Sequence, residues 1–136
     1  MINRILHFLL LLSLVFSMSA CTDEDKGLSQ QIVGAWQLTS LNIDGQQQDL
    51  SGNNQIILFE SNSVFKRYLT DEAKYRIGGW SIKPDMLNIS LDLPAAYYIE
   101  QIEHTSLTLK RFDFDVNGNL KTTVFVYKKV SEDLLP

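Results

Sequence analysis

Eight short segments of β-forming residues, separated by turn signals, account for most of this chain. The run from Leu87 to Asp92 alternates strictly between apolar and polar residues, which is typical of a half-buried strand. Asn117 and Gly118 form a strong hairpin signal between the last two segments. No long stretch has helical periodicity, so the sequence predicts an all-β domain. The predicted strands cover residues 35–43, 55–60, 64–70, 74–82, 87–92, 95–103, 106–114 and 120–130.

Short connections between eight consecutive strands predict a closed barrel. An open meander of this size would leave two long edges unpaired, and closure removes them. We therefore expect an eight-stranded antiparallel up-and-down barrel over residues 32–130, with a two-sheet sandwich as the alternative. The interior of such a barrel is just wide enough to be filled by side chains or to hold one small ligand. Residues 131–136 are expected to form a frayed tail.

Two irregularities of the sheet are predicted from local sequence. Gly78 and Gly79 lie inside the fourth strand, where glycine indicates a bulge or a close approach of backbone. In the first strand, Leu38 and Leu41 fall on opposite faces by simple alternation. Either a bulge lies between them, which would return both to one face, or the strand leaves the barrel at its rim.

Hairpin geometry then predicts which residues face each other. The short loops fix the register, and alternation carries it along each strand. The predicted pairs are Phe59 with Phe65, Trp80 with Ile89, Ile82 with Leu87, Ile102 with Leu107, Glu100 with Leu109, and Tyr98 with Arg111.

This register places charged residues on the apolar face of the sheet. A buried charge costs several kcal/mol unless it is paired. Either Glu100 meets an arginine inside the barrel, or these groups lie at the open mouth and meet a ligand. A register error of one residue would instead place them in solvent. The glycines beside Trp80 leave room for a ligand next to its ring. The predicted ligand-binding residues are therefore Trp80 and the polar residues of the apolar face, namely Arg67, Tyr98, Glu100 and Arg111.

The N-terminal residues have the pattern of a secretion signal. Arg4 precedes a nearly unbroken apolar segment over residues 5–16, which is shorter than the roughly 20 residues that a spanning helix needs. Ser19 and Ala20 then precede Cys21, the single cysteine of the sequence. This pattern resembles the lipobox of bacterial lipoproteins. The resemblance implies removal of the signal peptide, residues 1–20, and acylation of Cys21 by enough chains to hold the protein stably on a membrane.

Two other interpretations of this segment are an ordinary secretory signal, which leaves Cys21 as a free thiol, and an uncleaved membrane anchor. The lipoprotein is favoured because a lone exposed cysteine is a liability outside the cell. Residues 21–31 are expected to form a polar tether, with a single helical turn over 28–32. The charged run over 22–26 also resembles the acidic stretch that sends lipoproteins of the Bacteroides group to the cell surface. The resemblance implies a location on the outer membrane.

Composition excludes several classes of function. Without Arg4 the chain keeps all but one of its 12 basic residues against 16 acidic ones, so it is acidic. An acidic domain is unsuited to nucleic acid. Once the signal is removed, His104 is the single histidine, and alone it forms neither a zinc site nor a Ser-His-Asp arrangement. We expect no metal, no cofactor and no enzymatic activity, since no nucleophile, base and orienting group stand together.

A G-x-W pattern, Gly34-Ala35-Trp36, opens the first strand, and Gly79-Trp80 follows later in the chain. This arrangement resembles the lipocalin superfamily and, more closely, the small lipocalin-like lipoproteins of the Bacteroides group. The resemblance covers residues 32 to about 129. It implies that Trp36 plugs the closed end of the barrel.

The resemblance also implies a basic residue near the last strand that stacks over this tryptophan. The candidates are Arg111, Lys128 and Lys129.

Two functions follow from this resemblance, because the family is a ligand-binding scaffold and a fold does not fix function. The first is a barrel, tethered to the cell envelope, that binds a small apolar or amphipathic ligand. The second is a filled barrel that docks on another envelope protein as an inhibitor or accessory subunit. A cavity would favour the first and a solid core the second. The expected partners are a membrane, through the lipid on Cys21, and either a small hydrophobic ligand or an envelope protein.

Overall fold

The computed structural model describes residues 24–52 and 54–136, so the predicted signal peptide and the lipidation of Cys21 lie outside the described residues. The described chain begins with helix α1 (Glu24–Ile32). The strands are β1 (Gly34–Ile43), β2 (Gln46–Gln47), β3 (Gln55–Phe59), β4 (Val64–Leu69), β5 (Lys74–Ile82), β6 (Met86–Ser90), β7 (Pro94–Ile102), β8 (Ser106–Phe114) and β9 (Leu120–Val130).

Eight of these strands form a closed antiparallel barrel in sequence order. Each strand from β3 to β8 pairs with the next, and β1 pairs with both β3 and β9. Strand β2 is a two-residue addition to the end of β1. The predicted eight-stranded up-and-down barrel is therefore confirmed, and the sandwich alternative is wrong.

The bulge predicted in the first strand is present. The register of β1 against β9 shifts between Leu38 and Ser40. As a result Leu38 lies opposite Tyr127 and Leu41 lies opposite Phe125, two residues of β9 that share a face. The bulge keeps the apolar residues of both halves of β1 turned towards the interior.

A second bulge, at Glu100 in β7, is not predicted by the sequence. Ile102 faces Leu107, as the tight turn between β7 and β8 predicts. Beyond the bulge, Ile99 rather than Glu100 lies opposite Leu109. An extra residue in one strand reverses the alternation of every side chain that follows it.

This reversal exchanges the two faces of β7. Tyr98 lies opposite Lys110, not Arg111, and is 49% exposed, whereas Tyr97 is 5% exposed inside the barrel. Glu100 is exposed, with its carboxylate 3.7 Å from the ammonium of Lys110. The predictions that Tyr98 and Glu100 face the interior are therefore wrong.

The apolar core extends inwards from the end of the barrel next to helix α1, which we call the closed end. The other predicted pairs, Phe59 with Phe65, Trp80 with Ile89, and Ile82 with Leu87, are confirmed. The rings of Phe59 and Trp80 meet edge to face with centroids 5.5 Å apart. The buried members of this core are Ile32, Trp36, Leu38, Ile57, Phe59, Phe65, Trp80, Leu87, Ile89, Tyr97, Leu107, Leu109 and Tyr127.

Gly78 is the point at which backbone approaches backbone. It lies opposite Phe65 and faces inward. A Cβ atom at this position would clash with the carbonyl oxygen of Ser90 and would lie 3.0 Å from the side chain of Leu91. The close approach predicted from the paired glycines is thus confirmed, and it holds the turn between β6 and β7 against β5.

Both ends of the described chain are more ordered than the sequence predicts. The expected tether is helical from Glu24, and Ile32 at the end of α1 is fully buried. The expected frayed tail contains a 3₁₀ turn at Glu132–Leu134, and Leu135 packs on the outer face of the sheet. The carbonyl oxygen of Pro136 accepts a 2.8 Å hydrogen bond from the Tyr75 hydroxyl. Within the described ranges, no helix is both long and apolar enough to cross a membrane.

Candidate functional site

Trp36 closes one end of the barrel. Its side chain is fully buried, and its indole Nε1 donates a 2.8 Å hydrogen bond to the carbonyl oxygen of Ile32. The ammonium of Lys129 lies 4.5 Å from the centre of the tryptophan ring and donates a 2.7 Å hydrogen bond to the carbonyl oxygen of Val33. Of the three basic candidates, Lys129 is therefore the residue over the tryptophan. Burial lowers the pKa of Lys129, although Glu132 opposes this shift.

Trp80 belongs to the packed closed end. It is 8% exposed, and its indole Nε1 donates a 2.9 Å hydrogen bond to the carbonyl oxygen of Glu60. Its polar atom already has a partner and its ring packs on Phe59. The structure therefore places this predicted ligand-binding residue in the core.

A cavity of about 280 Å³ lies at the opposite end of the barrel, which we call the open end. Ligand sites in proteins typically have volumes of about 300–1,000 Å³, so this cavity is suited to a small molecule. The turn between β6 and β7 forms one of its sides. The residues that line it include Arg67, Arg76, Ile89, Leu91, Asp92, Ala95, Tyr97 and Arg111.

Arg111 is held in place by its neighbours. Its Nε donates a 2.6 Å hydrogen bond to Asp113 Oδ2, and its Nη1 donates a 3.1 Å hydrogen bond to the Tyr97 hydroxyl. The guanidinium carbon also lies 5.5 Å from the centre of the Tyr97 ring and 5.6 Å from that of Phe125. Burial opposes the charged form, but the contacts with Asp113 and Tyr97 outweigh it and raise the pKa of Arg111. Arg111 therefore stays charged, and one carboxylate already balances it.

Arg76 lies at the rim of the cavity and also has a carboxylate partner. Its Nη1 is 2.6 Å from Asp92 Oδ2, and both side chains are exposed. Exposed ion pairs of this kind contribute little to stability. The carboxylate of Asp92 nevertheless balances the positive charge of Arg76.

Arg67 has no such partner among the described residues. Strand β4 places it opposite Ile57 on one side and opposite Arg76 on the other, so it faces inward. Its Nε is buried and makes no hydrogen bond within the part of the chain that the structure describes. Buried polar groups in native proteins are nearly always hydrogen-bonded, and one that is not costs about 1–3 kcal/mol. Arg67 thus brings an unused donor and an unbalanced charge to the cavity.

Two further side chains of β9, Tyr127 and Thr123, are buried with their hydroxyl groups. Burial raises the pKa of the Tyr127 hydroxyl well above its usual range, and although Arg67 and Arg111 oppose this shift, the phenol stays neutral. The hydroxyl of Thr123 is buried without a hydrogen-bond partner among the described residues.

The structure brings together two of the five predicted ligand-binding residues. Arg67 and Arg111 line the same cavity, whereas Trp80 lies in the core and Tyr98 and Glu100 lie on the outer surface. Sequence reasoning missed Tyr97, Asp113 and Arg76. The spacing of Arg111 and Asp113, two residues apart in one strand, places both on the same face and could have identified this pair.

A larger cavity, of about 500 Å³, lies beside helix α1. Its lining includes His104 and Lys129, but the ammonium of Lys129 is already bonded to Val33. None of its lining side chains is a buried polar group that lacks a partner. Across residues 24–52 and 54–136, no cluster of histidine, cysteine or carboxylate side chains is arranged to hold a metal ion. The open end is therefore the better candidate site.

A closed meander of eight strands, with a tryptophan at one end and a cavity at the other, defines the class of lipocalin-like barrels. A family model described as a lipocalin-like domain matches residues 32–112, and the chain belongs to this family. No curated protein matches the chain.

Solved structures of bovine odorant-binding protein have a similar fold. The protein from nasal mucosa is 15% identical with a TM-score of 0.50, over 79% of this chain and 77% of that chain. Its complex with undecanal is 14% identical with the same TM-score and the same coverage. A complex with a selenium-containing odorant is 13% identical, again with a TM-score of 0.50, over 78% of this chain and 76% of that chain. These similarities show a shared fold.

Proposed function

We propose that this protein is a lipid-anchored binding protein of the cell envelope that holds a small apolar or amphipathic ligand at the open end of its barrel. The observation that carries the proposal is the cavity of about 280 Å³, in which apolar side chains lie beside a buried donor that lacks a partner. An odorant-binding protein of similar fold forms a complex with undecanal, which supports a small apolar molecule as the ligand of this barrel.

The closed end limits the size of this ligand. Leu38, Ile57, Phe59 and Leu107 are buried there and leave the core packed. The two alternatives for the barrel interior, filled or hollow, therefore apply to different halves of the same molecule. A ligand enters one half and stops at the packed layer.

The proposed anchor is the lipid on Cys21, as in the small lipocalin-like lipoproteins of the Bacteroides group, and the proposed location is the outer membrane. The sequence pattern before Cys21 supports both proposals. Helix α1, the first described element after Cys21 in the chain, ends against Trp36 at the closed end, which supports an anchor that leaves the open end free. The open end then remains accessible to ligand.

A second candidate function is docking on another envelope protein. An apolar patch on the outer surface, near the open end, favours it. The patch consists of Tyr98, Phe112, Phe114, Val116 and Leu120, each at least 45% exposed. Patches of exposed apolar side chains commonly mark interaction surfaces.

Native mass spectrometry of the intact protein, extracted from host membranes in mild detergent, tests both parts of the proposal. We expect lipid mass on Cys21 and a small molecule that dissociates on activation. Ala95→Trp fills the cavity and should keep the lipid but lose the small molecule, whereas Cys21→Ser should lose the lipid but keep the small molecule. A small molecule retained by Ala95→Trp, or none in the wild type, would contradict ligand binding at the open end. An unmodified Cys21 would contradict the anchor.

A further inference from the structure

We propose that the ligand carries an anionic head group, a carboxylate or a group of the same charge and geometry, and that Arg67 binds it. This inference rests on the proposed function and deepens it. It follows from the distribution of charge around the open-end cavity rather than from the fold.

The charges around the cavity do not balance. Three arginines line it, and two of them have carboxylate partners at 2.6 Å: Asp92 for Arg76 and Asp113 for Arg111. Arg67 forms no ion pair within residues 24–52 and 54–136. One positive charge is therefore left over inside a protein whose formal net charge is −4.

The position of Arg67 makes this surplus costly. It lies directly opposite Arg76 in the neighbouring strand, and like charges at such positions repel each other. Its Nε is also buried and has no acceptor among the residues that the structure describes. Tyr127 does not supply the missing negative charge, because burial raises the pKa of its hydroxyl and keeps it neutral. An anion from outside the protein, bound in the cavity that Arg67 lines, would supply this charge.

The chemistry of the guanidinium group specifies what fits. Its planar fork of N–H groups matches a carboxylate, with two parallel hydrogen bonds. Ile89, Leu91 and Ala95 line the same cavity and provide an apolar wall for the remainder of the molecule. The small volume favours a short amphipathic acid over a long-chain one. Arg111 is already bonded to Asp113 and Tyr97, so it keeps these contacts and leaves the anionic group to Arg67.

Two probes of the same shape test this assignment, namely hexanoate and its neutral analogue hexanamide. Isothermal titration calorimetry on the full chain at neutral pH should give a dissociation constant for hexanoate lower than that for hexanamide by about tenfold or more. Arg67→Met should remove this preference. Lys128→Met makes the same change of net charge on the exposed outer face of β9 and should retain it.

A melting experiment separates ligand recognition from a structural role of Arg67. Replacing even a buried ion pair by apolar side chains of similar volume is often neutral or stabilising, and Arg67 forms no ion pair with the described residues. The melting temperature of ligand-free Arg67→Met should therefore equal or exceed that of the wild type. A clear fall would mean that Arg67 serves the fold, and it would overturn the assignment.

The remaining outcomes distinguish this inference from the proposed function. If both probes bind equally and Ala95→Trp removes both, the cavity binds ligands but the anionic head group is wrong. If hexanoate does not bind, or if Arg67→Met keeps the preference, the assignment to Arg67 is overturned. If, in addition, no small molecule is found by native mass spectrometry, the proposed function fails as well.

Discussion

At the scale of single residues, the environment of each arginine decides its role. Arg111 resembles a ligand-binding residue in sequence, because it shares an apolar face with Leu107 and Leu109. The structure gives it a carboxylate partner, Asp113, in place of the predicted Glu100. Arg111 is therefore a positioned residue of the cavity wall, whereas Arg67 retains free hydrogen-bonding capacity.

The contact between Arg111 and Asp113 leads to a stability prediction. Arg111→Met should lower the free energy of unfolding by about 1–3 kcal/mol, because Asp113 and the Tyr97 hydroxyl both lose a partner. Since both members of the ion pair are partly exposed, we expect the lower half of this range. Chemical denaturation of the purified variants measures the change.

The double variant Arg111→Met with Asp113→Leu should recover part of this loss, because no charge is then left unpaired. Glu100→Gln is the matched control and should change little, since Glu100 lies on the outer surface. A melt of Arg111→Met that equals the wild type, or a strong effect of Glu100→Gln, would contradict the register described for β7 and β8.

At the scale of elements, one glycine fixes how β5 meets the turn after β6. Gly78→Ala should destabilise the protein by about 1–3 kcal/mol, because the added methyl group meets the backbone of Ser90. Gly79→Ala is a stringent control, since a Cβ there would lie 3.5 Å from the carbonyl oxygen of Ser63, an ordinary contact. Thermal melting of the two variants should separate them. Equal melting temperatures would mean that β5 and this turn are not in close contact.

The strands themselves could be predicted because turn signals and alternation act locally. The run from Leu87 to Asp92 and the Asn117-Gly118 turn carry their structure in neighbouring residues. The bulge at Glu100 could not be predicted, because no glycine or proline marks it. Tyr97 and Tyr98 are also both tyrosines, so the sequence fits either register. One undetected residue was enough to place two predicted site residues on the wrong face.

The carboxylate partner of Arg76 was equally hidden from the sequence. The pair of Arg76 and Asp92 depends on how β5 meets the turn after β6, a contact that joins residues far apart along the chain. That Arg67 has no carboxylate partner among the described residues becomes visible only once Arg76 is paired with Asp92 and Arg111 with Asp113.

At the scale of the whole molecule, stability and binding are assigned to opposite ends of one barrel. Trp36, Lys129 and α1 complete the packed end. The turn between β6 and β7 and the inward arginines form the other end. This separation explains how a chain of 136 residues keeps a solid core and still holds a cavity.

A crystal structure of the protein purified from its own host, without added ligand, would show directly whether the open end binds an acidic small molecule. We predict electron density for a small molecule inside the open end, with its apolar part against Ile89 and Ala95 and an acidic group within hydrogen-bond distance of Arg67. If the protein's own side chains close the open end and Arg67 is paired to a carboxylate of the chain, ligand binding at this end is wrong.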